Sequence, residues 1–383
     1  MTAQLEQPAH LASPPPARHG ADLAAVGVWL ASRVAVAVLS IGGAWTLSGT
    51  QAGQVEGFLQ RWDRWDVGLF RKVAEFGYQG YPELYPDRGI EAFFPGAPLV
   101  LRALHLVVPN WTAAGLLMSL VAGAFASVAL SRLAVLEGLS GSRTVTYLVL
   151  SPYAVFLFAG YSEALFLAFA LWGWLMARQD RWVEASLLVA AASTVRVSGL
   201  FLACGLVVQY AVAHRFRPRW DAAALVAPFL AIGAYFAYLQ AITGDWLRWS
   251  HAQEEGWGRR FTDPVTSFQT TLSAARDPGG ASDFVWSFRA EIAAVVIGVL
   301  LAVVLLVRKR FGEATYIALS VAALATSTFY LSVARATLLW FPLFLLVAAA
   351  AKRWAWVHTL YVAACAPVMA LLVLTFSSGR WVG

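Results

Sequence analysis

Apolar runs of membrane-crossing length recur along this chain, separated by short polar turns. A helix needs about 20 apolar residues to cross the hydrocarbon of a bilayer. A first run, Leu23 to Trp45, and a second, Ala113 to Leu136, meet that length. Basic residues mark four turns: Arg178 and Arg181; Arg215, Arg217 and Arg219; Arg308-Lys309-Arg310; and Lys352-Arg353. Short basic loops favour the cytoplasmic side, so these four are expected inside. Parity then orders the rest. The stretch between the turns at 178 and 214 must go out and back as two short helices broken near Val195 to Gly199. The chain is expected to turn outside near Gly160 to Ser162 and inside from Glu137 to Arg143. Further spans are expected near 291–307, 314–331, 337–351 and 355–376. The pattern predicts an all-α polytopic membrane protein of about eleven transmembrane helices, with its carboxyl end outside.

The same reading divides the chain. Residues 1–22 are polar and proline-rich and are expected to form a disordered cytoplasmic tail. Residues 23–242 form a transmembrane module interrupted by a long external loop at 46–112. A second external loop is expected at 243–290, followed by C-terminal helices over 291–383. Within the first loop, Phe93 to Val108 is apolar but broken by Pro95, Pro98, Arg102 and His105. Parity makes it an interfacial or re-entrant helix; the alternative is that it spans and another turn is misplaced.

Composition sharpens this picture. Of 383 residues, 59% are hydrophobic and 13% charged, more oil than a soluble domain needs. The net charge of +6 would suggest a nucleic-acid partner if the basic residues formed a patch. They sit in short turns instead, so no nucleic acid is expected and membrane lipids are the surroundings. Cys204 and Cys365 both lie inside apolar runs, which indicates neither a disulfide framework nor a metal site. The histidines at 10, 19, 105, 214, 251 and 358 show no metal-ligand spacing. No Walker or dinucleotide glycine fingerprint is present either, so neither cofactor nor metal is expected.

Candidate chemistry begins at Trp62-Asp63-Arg64-Trp65-Asp66. Wound as a helix from Asp66 to Phe76, the segment gathers Arg71, Lys72 and Glu75 on one arc. Asp66 instead shares the apolar stripe of Phe70 and Val73, with Asp63 near its edge. An acid on a buried face is costly unless paired or used. The plainer alternative is that Asp66 or Asp63 caps the helix. Trp62 and Trp65 suit an interfacial belt and would also stack on the apolar face of a sugar.

Ser162-Glu163, Arg196 and Arg335 are expected on the same external side, with Glu91 beside them. Sequence-distant acids and cations meeting at one membrane face describe an interfacial active site. Alone, each has a structural explanation: Ser162-Glu163 as a helix start, Arg196 and Arg335 as interface anchors. Arg33, mid-span, needs a partner or a water-filled cleft.

Trp65-Asp66, Phe70, Ala74-Glu75-x-Gly77-Tyr78 and Ala92-Phe93-Phe94-Pro95-Gly96-x-Pro98-Leu99 stand here in that order. Together they resemble the GPI mannosyltransferase 2 (PIG-V) family and its bacterial relatives, which belong to the GT-C glycosyltransferases. Tyr161-Ser162-Glu163 after Ser151-Pro152, Thr194-x-Arg196-x-x-Gly199, Gln253-x-x-x-Trp257-Gly258-Arg259, and Arg335 ahead of Trp340-Phe341-Pro342 continue the resemblance. It implies a GT-C-like bundle with a long first external loop. It also implies an inverting enzyme that moves mannose from a polyprenyl-phosphate-linked donor to a lipid- or glycan-linked hydroxyl acceptor. The family's Trp-Asp pair falls on Trp65 and Asp66. A base must take the acceptor proton, a role expected of Asp66. Glu163 or Glu91 would orient a sugar hydroxyl, and Arg196, Arg335 or Arg259 would hold the phosphate. Asp63, Tyr161, Gln253 and Trp257 complete the expected substrate-binding set. The short loops and alanine- and arginine-rich composition look bacterial, placing the expected site on the outer face of a plasma membrane. Two other classes compete. One is a secondary transporter or lipid flippase using Arg33, Arg196 and the break at Val195 to Gly199. The other is an inactive partner subunit of the same fold.

Overall fold

A computed structural model describes residues 18–47, 56–79, 89–276 and 282–383. The tail expected over 1–22 lies outside these residues up to position 17, as do parts of both expected external loops. The chain opens with α1 (Arg18–Leu47), then the short α2 (Asp66–Phe76) and α3 (Gly96–His105), each preceded by one 3₁₀ turn. The long α4 (Trp111–Leu136) and short α5 (Gly141–Val149) follow. Next come α6 (Glu163–Ala177), α7 (Trp182–Val195), α8 (Ser198–Ala213) and α9 (Ala227–Thr243). Two short helices, α10 (Arg248–Trp257) and α11 (Pro264–Ala274), lead to α12 (Ser282–Val307) and α13 (Phe311–Ala325). The one-turn α14 (Val333–Ala336) precedes α15 (Phe341–Arg353) and α16 (Ala355–Ser377).

The fold is an all-α polytopic membrane protein, but eleven spans do not exist among the described residues. Five helical stretches are long and apolar enough to cross: His19–Thr46, Trp111–Leu136, Trp220–Thr243, Val285–Val307 and Ala355–Ser377. A sixth results if Val333–Leu339 and Phe341–Arg353, bent by 71°, count as one broken span. The expectation failed on α6, α7, α8 and α13, which have 14 to 16 residues. At 1.5 Å per residue such helices rise only about 21–24 Å, short of the ~30 Å hydrocarbon core. Their apolar composition is spent on protein contact. α6 packs between α4 and α7, and α8 packs on α13. On α6 even Trp174, Leu171 and Phe166 are fully buried. The parity argument, which counted each of these helices as a crossing, falls with them. The segment 93–108 does not span either, because α3 holds only 10 residues.

The long helices show the opposite face. Leu23, Val34, Leu300 and Leu371 are each more than half exposed, the mark of side chains that meet lipid. Polar groups gather at the two ends of the bundle. At one end Arg310 bonds both Glu137 oxygens at 2.8 and 3.0 Å, Arg178 reaches the same carboxylate at 3.0 Å, and Lys352 donates to Gly138 O at 2.9 Å. Three of the four basic turns therefore converge on a single turn after α4. The Trp-Asp segment lies at the other end, beside the start of α6, a helix whose far end carries Arg178.

Candidate functional site

Asp66 is the first residue of α2, and Val67, Phe70, Val73 and Ala74 form the buried stripe of that helix. Neither acid of the doublet caps it. The residue before the helix is Trp65, which makes no side-chain cap bond and sits at φ 55°, ψ −127°. For a bulky residue that backbone is strained, and such strain persists only where neighbours over-determine it. Three residues earlier, Trp62 is fully buried, stacked on Phe376 at 5.6 Å and tilted on Phe158 at 4.5 Å. Trp65 lies nearly half exposed, its ring edge-on to Trp381 at 5.3 Å. Asp63 turns away and pairs with Arg71 at 2.8 Å.

Three distant segments deliver the ion chain that begins at Asp66. Arg335, on α14, donates Nη1 to Asp66 Oδ2 at 3.0 Å and Nε to Glu163 Oε1 at 2.5 Å. Arg196 lies in the break between α7 and α8 with extended backbone. Its Nη1 donates to the same Glu163 oxygen at 2.8 Å and to Ser162 Oγ at 2.7 Å. Asp66, Arg335, Glu163 and Arg196 thus form one chain of charge-assisted hydrogen bonds across α2, α14, α6 and the α7–α8 break. Glycine makes the break possible: a Cβ on Gly199 would overlap Cα of Ser193. Gly96 has the same function where α3 meets that break, since its Cβ would lie 2.8 Å from Thr194 O. The Arg335 guanidinium also lies over Phe156 and Tyr161, 4.4 and 4.6 Å from the ring centres.

A cleft of about 140 Å³ opens above this chain. Among its lining residues Asp66 is the one carboxylate, facing the guanidinium groups of Arg196, Arg259 and Arg335. Phe93, Trp249, Trp257 and Trp381 form aromatic walls, and Gln253, Ser162 and Ser332 supply neutral polar groups. The cleft shares Arg196, Trp249, Gln253, Arg259 and Ser332 with a second cavity of about 440 Å³. That cavity runs over Phe201, Leu324, Leu331, Leu339 and Trp340, so a charged cleft continues into a largely apolar one. Arg259 bonds Leu331 O at 2.5 Å, while its buried Nε finds no partner. Burial pulls this guanidinium down to about 10, and an arriving anion would relieve that cost. Two carboxylates, Asp66 and Glu163, meet three arginines here, and a third acid, Glu291, lies near Arg259 from outside the cleft wall. Among the described residues no three of His, Cys, Asp and Glu gather as a metal-ligand set.

The expected residues divide accordingly. Asp66, Arg196, Arg259, Arg335, Gln253 and Trp257 line the cleft. Glu163 and Tyr161 lie beneath it, fully buried, and hold Arg335 from below. Glu91 is not on the cleft wall: Arg248 takes both its oxygens at 2.9 and 3.0 Å, and those bonds hold the guanidinium above its ordinary range. That pair ties α10, the carrier of Trp249, Gln253 and Trp257, to the turn before Phe93. Asp63 and Trp65 also stay off the wall. Arg33 stands apart, its guanidinium carbon over the Trp29 ring at 4.0 Å, with both terminal nitrogens buried and without hydrogen-bond partners. Sequence reasoning missed Trp249, Ser332 and Trp381. Trp249 lies four residues before Gln253 on one helix face, a spacing that could have shown it.

The sequence model of the mannosyltransferase (PIG-V) family matches residues 37–232, which include Asp66, Glu163 and Arg196. GPI alpha-1,6-mannosyltransferase 2 of Mus musculus is 36% identical over 168 residues, 40% of this chain and 32% of the mouse protein. The Cricetulus griseus protein of the same name is 38% identical over 162 residues, 38% of this chain and 31% of its own. The match thus spans about a third of the length of these curated relatives.

Proposed function

Because this chain belongs to the mannosyltransferase (PIG-V) family, we propose that its Asp66 cleft moves mannose from a polyprenyl-phosphate-linked donor to a hydroxyl acceptor carried by a lipid or glycan. The observation that carries the reading is one carboxylate facing three guanidinium groups at the mouth of an apolar cavity. The acceptor oxygen attacks the anomeric carbon, and its proton passes to Asp66. The bond between that carbon and the phosphate oxygen breaks, and its electron pair leaves with the phosphate. A single in-line displacement of this kind inverts the anomeric centre, as in the GT-C glycosyltransferases.

The charges suit such a step. A phosphodiester donor brings one negative charge, which suits the unpartnered Nε of Arg259. The leaving phosphate gains a second charge as the bond breaks, so fixed guanidinium groups favour the transition state over the bound donor. The aromatic walls suit a sugar face, and the second cavity suits the first units of a prenyl chain. The reading puts the site at the outer face of the membrane.

The test uses purified protein in proteoliposomes with labelled polyprenyl-phosphate-mannose and a lipid extract. Wild-type protein should yield a labelled mannosylated product. Asp66→Asn keeps the size and removes the proton acceptor, and should lower kcat by about 10²-fold or more. Transfer by Asp66→Asn at near wild-type rate would reject the base assignment, and no transfer by the wild type would reject the reading.

A further inference from the structure

Glu291 lies in the apolar run Val285–Val307 of α12 and is 2% exposed. An acid there is costly unless something fixed satisfies it. Its carboxylate is satisfied by backbone: Oε1 accepts from Ser332 N at 2.8 Å, and Oε2 accepts from Val333 N at 2.6 Å and Ala334 N at 3.0 Å. The next residue is Arg335. Ser332 sits in the left-handed region at φ 59°, a conformation a non-glycine residue holds only when its surroundings impose it. The segment is gripped from two more sides. Tyr330 N donates to Thr271 Oγ1 at 2.9 Å, and Arg259 Nη2 donates to Leu331 O at 2.5 Å.

We infer that Glu291 is a positioning residue, a carboxylate that fixes the backbone of Ser332 to Ala334 so that Arg335 meets Asp66 and Glu163 together. Its role in turnover rests on the transferase reading; its grip on the backbone does not. One guanidinium bridging two acids needs its Cα held to within about 0.5 Å, because a shift lengthens one bond as it shortens the other. A four-residue helix cannot hold itself there. The anchor therefore comes from outside, from a helix that contributes no side chain to the cleft wall.

Two readouts on the full-length protein test this. Glu291→Gln keeps the side-chain length but leaves one acceptor oxygen, so residue-resolved amide hydrogen exchange at 332–334 should quicken by about tenfold or more. Glu291→Asp, shorter but still a carboxylate, should fall between. In the transfer assay Glu291→Gln should lower kcat by about tenfold, with the donor KM within about threefold of wild type. Glu291→Asp should recover part of that loss. Unchanged exchange at 332–334 overturns the inference, whether or not the protein transfers mannose. Faster exchange with unchanged kcat overturns the positioning role. A wild type that transfers nothing overturns the transferase reading alone, and the exchange still decides for or against Glu291. If Glu291→Gln fails to fold, Glu291→Asp decides by the same two measurements.

Discussion

Replacing Glu163 with glutamine removes the central charge of the ion chain without changing its shape. The side chain is fully buried, and one of its oxygens takes both Arg335 at 2.5 Å and Arg196 at 2.8 Å. Removing one partner of a buried ion pair costs about 3–5 kcal/mol, because the other charge is left uncompensated. The amide oxygen still accepts one N–H, worth about 1 kcal/mol. The expected loss is therefore about 2–4 kcal/mol, or roughly 30- to 700-fold in the unfolding constant. Asp63→Asn is the control. It breaks the Asp63–Arg71 pair, whose side chains are 28% and 36% exposed, and such pairs contribute under about 1 kcal/mol. Denaturant titration in detergent micelles, followed by the emission of the 17 tryptophans, measures both. Adding Arg196→Met to Glu163→Gln should recover part of the loss, since it removes the stranded cation. Equal and small effects of Glu163→Gln and Asp63→Asn would show that the buried chain does not hold these elements together.

Two further outcomes follow from the cleft. On the transferase reading, Arg259→Gln should raise the donor KM by about tenfold with a smaller change in kcat, since it removes a cation of the cleft that makes no bond to Asp66; steady-state transfer rates over a donor series check this. Gly199→Ala should cost about 1–3 kcal/mol and lower transfer, because its methyl group has to push aside the Ser193 backbone beside Arg196; thermal unfolding and the transfer assay read the two effects.

The residues that gather at the cleft were more legible in the sequence than the number of spans. Asp66, Glu163, Arg196 and Arg335 stand out because charge in an apolar run needs a reason, and each proved to be the reason for another. Their pairing was not legible. Arg335 and Asp66 are 269 positions apart, and only the fold brings them to 3.0 Å. Glu291 carried the same signal, an acid at the edge of an apolar run, and passed as the boundary of a span. The span count failed for a different reason. Hydropathy reports that α6 and α8 leave water, but it does not distinguish lipid from the inside of a protein. Length distinguishes them, and a helix of 15 residues is too short. Trp381 offered no signal, since nothing local ties a tryptophan beyond the last helix to a cleft built mostly from earlier segments.

A guanidinium shared by two acids makes the floor of this cleft a single unit. A substitution at either acid alters the hold on the other, so specificity has no freedom to evolve there one residue at a time. If the cleft binds the proposed substrates, a change of acceptor or sugar is more readily made on the walls, at Trp249, Gln253 and Trp257, whose helix is fastened by a separate Glu91–Arg248 clasp. On the transferase reading, efforts to redirect transfer should begin on that helix and leave the charged base untouched.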